Sequence, residues 1–133
     1  MWFILLCVAA VAVMVGIYRF VTPGDRIPWR DDLPAARAEA AAANKPVLLY
    51  FTADWCGPCQ YMKRSVFPDL SVAAAMEGYI PVKIDTDRHP ALTRQFQVAS
   101  IPMFVLLDER GEVARSRSGA MEAAQMTDWL SGS

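Results

Sequence analysis

The stretch Val47-Leu48-Leu49-Tyr50-Phe51-Thr52-Ala53-Asp54-Trp55-Cys56-Gly57-Pro58-Cys59 decides the reading of this chain. Val47 to Phe51 is a continuous apolar run of strand length, which predicts a buried central strand and not a half-exposed one. From Cys59 to Phe67, the apolar positions Cys59, Met62 and Val66 recur at helical spacing, with Lys63 and Arg64 on the other face. A Cys-x-x-Cys pair therefore falls between a strand and a helix. In that setting the pair can close a small ring and open it again. A reversible disulfide is the chemistry this arrangement suits. The bland alternative, two small buried residues that happen to be close, fits the context far less well.

The rest of the chain builds outward from that unit. Downstream, Pro68 ends or kinks the helix, a short helix fits 70–77, and Tyr79 to Ile84 reads as a second strand. Pro90 opens a helix that buries Leu92 and Phe96. Met103 to Leu107 is a third strand, and Asp108-Glu109-Arg110-Gly111 turns into a fourth at about 112–117. A last helix over about 121–131 places Met126, Trp129 and Leu130 on one face. Upstream, the alanine-rich run 33–44 is a helix capped by Asp31 or Asp32 and ended by Asn44 and Pro46. The first two strands are joined by a helical crossover and should be parallel, whereas the last two form an antiparallel hairpin. The fold class is α/β, with a mixed four-stranded sheet flanked by helices on both faces.

Composition narrows the function. At 133 residues the chain holds one domain with a core that needs no staples. With 13 basic and 14 acidic side chains, it offers no strong field to nucleic acid or to an anionic membrane surface. Three cysteines are too few for a disulfide scaffold, and His89, the only histidine, leaves no zinc set, so no metal is expected. His89 is expected to cap a helix or lie in solvent.

The excess of apolar residues lies at the start. Trp2 to Tyr18 carries no charge, and its 17 residues reach the short end of the roughly 17–25 that span a bilayer. Trp2 at one end and Tyr18 and Phe20 at the other resemble interfacial anchors. A signal peptide is the competing reading, although the run exceeds the usual core of roughly 7–15 residues and no basic residue precedes it. The expected division is residues 1–20 as an N-terminal transmembrane anchor or uncleaved signal, 21–31 as a linker, and 32–133 as the domain. Trp29 in the linker is expected to fold back onto the domain.

Thiol–disulfide exchange needs an exposed thiolate that is stable near neutral pH. A cysteine at a helix N-terminus is favoured as the anion by free N–H groups and by the helix dipole. Cys56 has that place, with Gly57 and Pro58 shaping the turn, and Cys59 follows one turn into the helix. Cys56 is therefore the attacking thiol and Cys59 the resolving one. The redox-active Cys56–Cys59 disulfide needs no further cofactor.

Trp55-Cys56-Gly57-Pro58-Cys59 after an apolar strand, with Ser100-Ile101-Pro102 about forty residues on, resembles the thioredoxin family over roughly residues 29–131. The resemblance implies a thioredoxin fold in which the Pro102 peptide is cis and the Ile101 backbone pairs with an extended substrate strand. It also places Trp55, Gly57 and Pro58 in the substrate-binding surface. Gly119 matches a family glycine beside the substrate groove, with a plain turn glycine as its alternative. Lys45-Pro46-Val47, Ala53-Asp54 and Val66-Phe67-Pro68-Asp69-Leu70-Ser71-Val72 are closest to the branch holding the C-terminal domain of the transmembrane reductase DsbD. Plain thioredoxins carry a helix-kinking proline where this chain has Arg64. Gly-Pro between the cysteines goes with reducing members of the family.

One position departs from the pattern. The family's buried acid below the second cysteine is Tyr50 here, while Lys83 matches the basic residue that pairs with that acid. Tyr50 either bonds a water near Cys59 as part of a proton relay with Lys83 or simply fills the core. The expected function is a membrane-anchored oxidoreductase that reduces protein disulfides. Alternatives are an oxidase or isomerase, or a tethered binding or assembly module. Its partners would be thiol or disulfide proteins, a thiol-protein electron donor such as a transmembrane reductase, and the lipid bilayer through residues 2–18. No nucleic acid is among them. The branch resemblance places the domain on the periplasmic face of a bacterial inner membrane, single-pass. Arg19, Arg26 and Arg30 after the span favour the cytoplasm under the positive-inside tendency, with Asp25, Asp31 and Asp32 interleaved.

Overall fold

In a computed structural model, residues 1–21 and 26–132 are described, the side chains of 19–21 excepted. The expectations for Arg19, Phe20, Pro23, Gly24 and Asp25 lie outside the described side chains. Helix α1 runs Trp2–Val21 and α2 Leu33–Ala43. They are followed by β1 Val47–Thr52, α3 Gly57–Tyr61, a π-helical turn Met62–Val66 and α4 Leu70–Met76. Then come β2 Ile80–Asp85, α5 Pro90–Gln95, β3 Met103–Leu107, β4 Val113–Ser118 and α6 Ala123–Ser131.

The sheet order is β2-β1-β3-β4. Strand β1 pairs parallel to β2 and antiparallel to β3, and β3 pairs antiparallel to β4. Every residue of β1 is buried, because helices cover both faces of the sheet at its centre. On one face Leu48, Tyr50, Phe104 and Leu106 pack under Met62, Val66, Phe67, Met126 and Trp129. On the other, Leu49, Phe51, Val82 and Val105 meet Leu33, Ala36 and Ala40 of α2, whose small side chains let that helix lie close. The side chain of Asp32, and not that of Asp31, caps α2 by accepting from the Ala35 N–H at 3.0 Å.

Two elements differ from expectation. Trp29 folds back onto the domain as expected, but its neighbours in the segment expected as a linker dock with it. Ile27 is buried, Trp29 packs against Tyr50 at 5.3 Å and Phe67 at 5.1 Å, and the Arg30 backbone bridges β2 at Val82. Arg30 also forms a two-pronged ion pair with Glu39 of α2. The domain thus starts several residues before residue 32. The expected regular helix over 59–67 instead widens into the π turn, where the Phe67 N–H donates to the Met62 carbonyl at 2.9 Å. Arg64 lies within this turn, so the helix is irregular where plain thioredoxins carry their proline.

Candidate active site

The carboxyl end of β1 delivers Ala53 and Asp54 to a tight turn, in which the Cys56 N–H donates to the Ala53 carbonyl at 3.2 Å. Cys56 then caps α3. Its Sγ accepts from the Cys59 N–H at 3.2 Å, the contact that would stabilise a thiolate once the pair is reduced. Pro58 stands in the first turn, where no N–H is needed. Cys56 and Cys59 are joined as a disulfide with their Cα atoms 5.2 Å apart.

Cys56 was expected to be exposed, yet it is only 3 % exposed, and Cys59 is 2 % exposed. In the oxidised pair, the Cys56 sulfur points towards Cys59 and lies 3.8 Å from the Ile101 carbonyl oxygen. The large exposed group at the site is Trp55, 71 % exposed, whose indole N–H donates to Asp87 at 3.0 Å.

The Ile101–Pro102 peptide is cis, and Pro102 is buried at the start of β3. Its carbonyl accepts from the Gly119 N–H at 2.8 Å. Gly119 has φ of +94°, while a Cβ there would meet nothing within 4 Å. Backbone conformation, not a close neighbour, is what favours glycine at that turn. Met103 is half-buried beside Pro102.

Behind the disulfide, Tyr50 stacks on Phe104 at 5.2 Å and meets Phe67 edge-on at 5.0 Å. Its hydroxyl donates to the Cys59 carbonyl at 3.5 Å. Tyr50 is opposite Lys83 in the sheet register. Both line a cleft of about 600 Å³ that reaches Cys59 and is edged by Thr52, Asp85, Arg88 and His89. Asp54, which also borders this cleft, is exposed, and His89 precedes α5 without a side-chain cap bond. Among the described residues, no cluster of three or more histidine, cysteine or acidic side chains is arranged to hold a metal.

Sequence reasoning passed over Asp87, Tyr61 and Glu122. The Tyr61 hydroxyl donates to Glu122 at 2.9 Å, and that carboxylate pushes the Tyr61 phenol above its usual range. Tyr61 falls one turn after Pro58, which was the available signal for it.

The sequence matches the Thioredoxin-like family over residues 28–109. A thioredoxin-like protein of Synechocystis is 41% identical over 92 residues, covering 68% of this chain and 83% of that protein. Other curated relatives are longer, the chain spanning 58% of one and 53% of another. A Thermus thermophilus thioredoxin superposes with a TM-score of 0.72 at 26% identity, over 80% of this chain and 85% of that one. The reduced DsbD C-terminal domain of Neisseria meningitidis gives 0.66 at 25% identity, over 75% and 92%. This chain belongs to the thioredoxin-like family, and its Cys56–Cys59 pair makes it a thiol–disulfide oxidoreductase.

Proposed function

We propose that this chain is a membrane-anchored reductase of protein disulfides. The observation that carries the exchange chemistry is the Cys56 sulfur set against both the Cys59 N–H and the Ile101 carbonyl, and Gly57-Pro58 between the cysteines, which goes with reducing members of the family, supports the direction. An extended substrate segment pairing with the Ile101 backbone brings its disulfide to Cys56. The Cys56 thiolate attacks, a Cys56–substrate bond forms, the substrate S–S bond breaks, and the leaving thiolate takes a proton. Cys59 then loses its proton through the cleft bordered by Tyr50 and Lys83 and attacks the Cys56 sulfur. The second substrate thiol leaves, and the enzyme disulfide forms. Two electrons have passed to the substrate, and a donor dithiol protein restores the pair. Trp55, Gly57, Pro58, Pro102 and Gly119 shape the substrate surface.

The anchor reading rests on α1. Among the described residues no helix is long and apolar enough to cross a membrane. The uncharged part, residues 2–18, is about 25 Å long at 1.5 Å per residue. That is a little short of the roughly 30 Å hydrocarbon core, so the anchor reading requires the bilayer to thin around α1. Its large side chains, with Phe3 83 % exposed, pack against no core of this domain, and lipid is the medium that buries such a surface. Similarity to the DsbD domain supports an outward, periplasmic placement with a transmembrane thiol reductase as donor.

Placement is tested with a Cys7→Ala, Cys59→Ala variant, which leaves Cys56 as its one thiol. After mild reduction of intact bacterial cells, a maleimide that cannot cross the inner membrane is expected to label Cys56. Labelling only after the membrane is broken would put the domain in the cytoplasm and contradict the placement.

A further inference from the structure

The segment Gly119–Glu122 is held on two sides. Towards the cis-proline, the Gly119 N–H donates to the Pro102 carbonyl at 2.8 Å. Towards the active-site helix, the buried Met121 N–H donates to the Met62 thioether at 3.3 Å. Beside that contact, Tyr61 at the end of α3 donates to Glu122 at 2.9 Å, across 61 positions of sequence. Glu122 is itself fixed as the N-cap of α6 by a capping box with Gln125, the Glu122 N–H donating to Gln125 Oε1 at 2.9 Å. Of these tethers, Tyr61–Glu122 is the one made by two side chains and open to water, Tyr61 being 37 % exposed.

We propose that Tyr61 is a positioning residue for polypeptide substrates. Its hydrogen bond to Glu122 sets the spacing between the active-site helix and the Gly119 segment, and so the fit of an extended chain lying against Ile101. The proposal rests on the exchange reading of Cys56 and Cys59. The tether touches neither sulfur, and the Cys59 N–H that supports Cys56 belongs to the backbone. A small disulfide needs only Cys56, whereas a polypeptide needs the walls beside it. Loss of the tether should therefore weaken polypeptide binding and leave thiol reactivity alone. The elevated phenol stays protonated, and so a donor, throughout the range in which thiol exchange runs.

The test uses the full chain in detergent with two substrates: insulin, with dithiothreitol as reductant, and the small disulfide dithiobis(nitrobenzoate), added to pre-reduced chain freed of dithiothreitol so that the single-turnover rate is read. Tyr61→Phe should raise KM for insulin about fivefold, the scale of one lost hydrogen bond, with kcat held within about twofold. The rate with the small disulfide should be unchanged. An unchanged insulin KM in Tyr61→Phe, or an equal loss on both substrates, would overturn the proposal. Failure of the parent chain to reduce insulin would sink the exchange reading itself, and is seen before any variant is compared.

Discussion

Replacing Cys59 by serine is expected to stop the enzyme with its substrate still attached. The Cys59→Ser backbone still offers its N–H to the Cys56 sulfur, the 3.2 Å contact of the oxidised pair, so the attacking thiol keeps its support. The second thiolate is gone, and the mixed disulfide has no partner to resolve it. A covalent adduct with a protein substrate should accumulate and show by non-reducing mass spectrometry as the summed mass, disappearing on addition of excess dithiothreitol. Cys56→Ser should give no adduct, because the backbone N–H contact that supports a thiolate belongs to the helix N-cap position 56, while Cys59 lies within the helix. Turnover should fall in both variants by on the order of a thousandfold, since residues acting as one unit fail together. Trapping by Cys56→Ser and not by Cys59→Ser would reverse the assigned roles.

The second large effect concerns the position where the family's acid is replaced. Tyr50→Asp restores the carboxyl that the family resemblance leads one to expect, yet it should damage the protein. The Tyr50 ring lies between Trp29, Phe67 and Phe104 at 5.0 to 5.3 Å, and the residue is 1 % exposed. Truncating a buried ring of this kind costs about 3–5 kcal/mol, and an isolated carboxylate in the vacated space adds to that. The melting temperature should drop by about 15 °C or more. Tyr50→Phe, which keeps the ring and gives up the 3.5 Å hydroxyl contact, should cost about 1 kcal/mol or less. If Tyr50→Asp melts within a few degrees of the parent, the aromatic packing is not what fixes this position, and the cleft accepts an acid after all.

That contrast shows where the sequence was readable. The apolar run at 47–51 marked a central strand because a strand buried on both faces has no room for polar residues. The cysteine pair, the crossover and the hairpin followed from its flanks. The cis-peptide before Pro102 was legible only through the family resemblance, since nothing local to Ser100-Ile101-Pro102 separates it from an ordinary strand-entry proline. Tyr50 was left open between relay and core because its polarity suits either, and only its three ring neighbours show how tightly it is packed. The near-complete burial of Cys56 was missed because it depends on Ile101, 45 positions away. The docking of Ile27 and Arg30 was hidden by proline and glycine nearby, whose breaker character says nothing of what a neighbouring side chain buries. The π turn was hidden as well, because Met62 and Val66 keep helical spacing whether the turn is regular or widened.

The central claim is that Cys56 and Cys59 pass electrons to disulfides in proteins, as opposed to presenting a thioredoxin-shaped surface for binding alone. The most direct measurement is the rate of insulin reduction in the presence of dithiothreitol, comparing the full chain with a Cys56→Ala, Cys59→Ala variant of matched melting temperature. The account predicts catalysed reduction by the parent chain and the uncatalysed dithiothreitol rate for the variant. Equal rates for the two proteins would show that the cysteine pair does not carry the activity and would contradict the account.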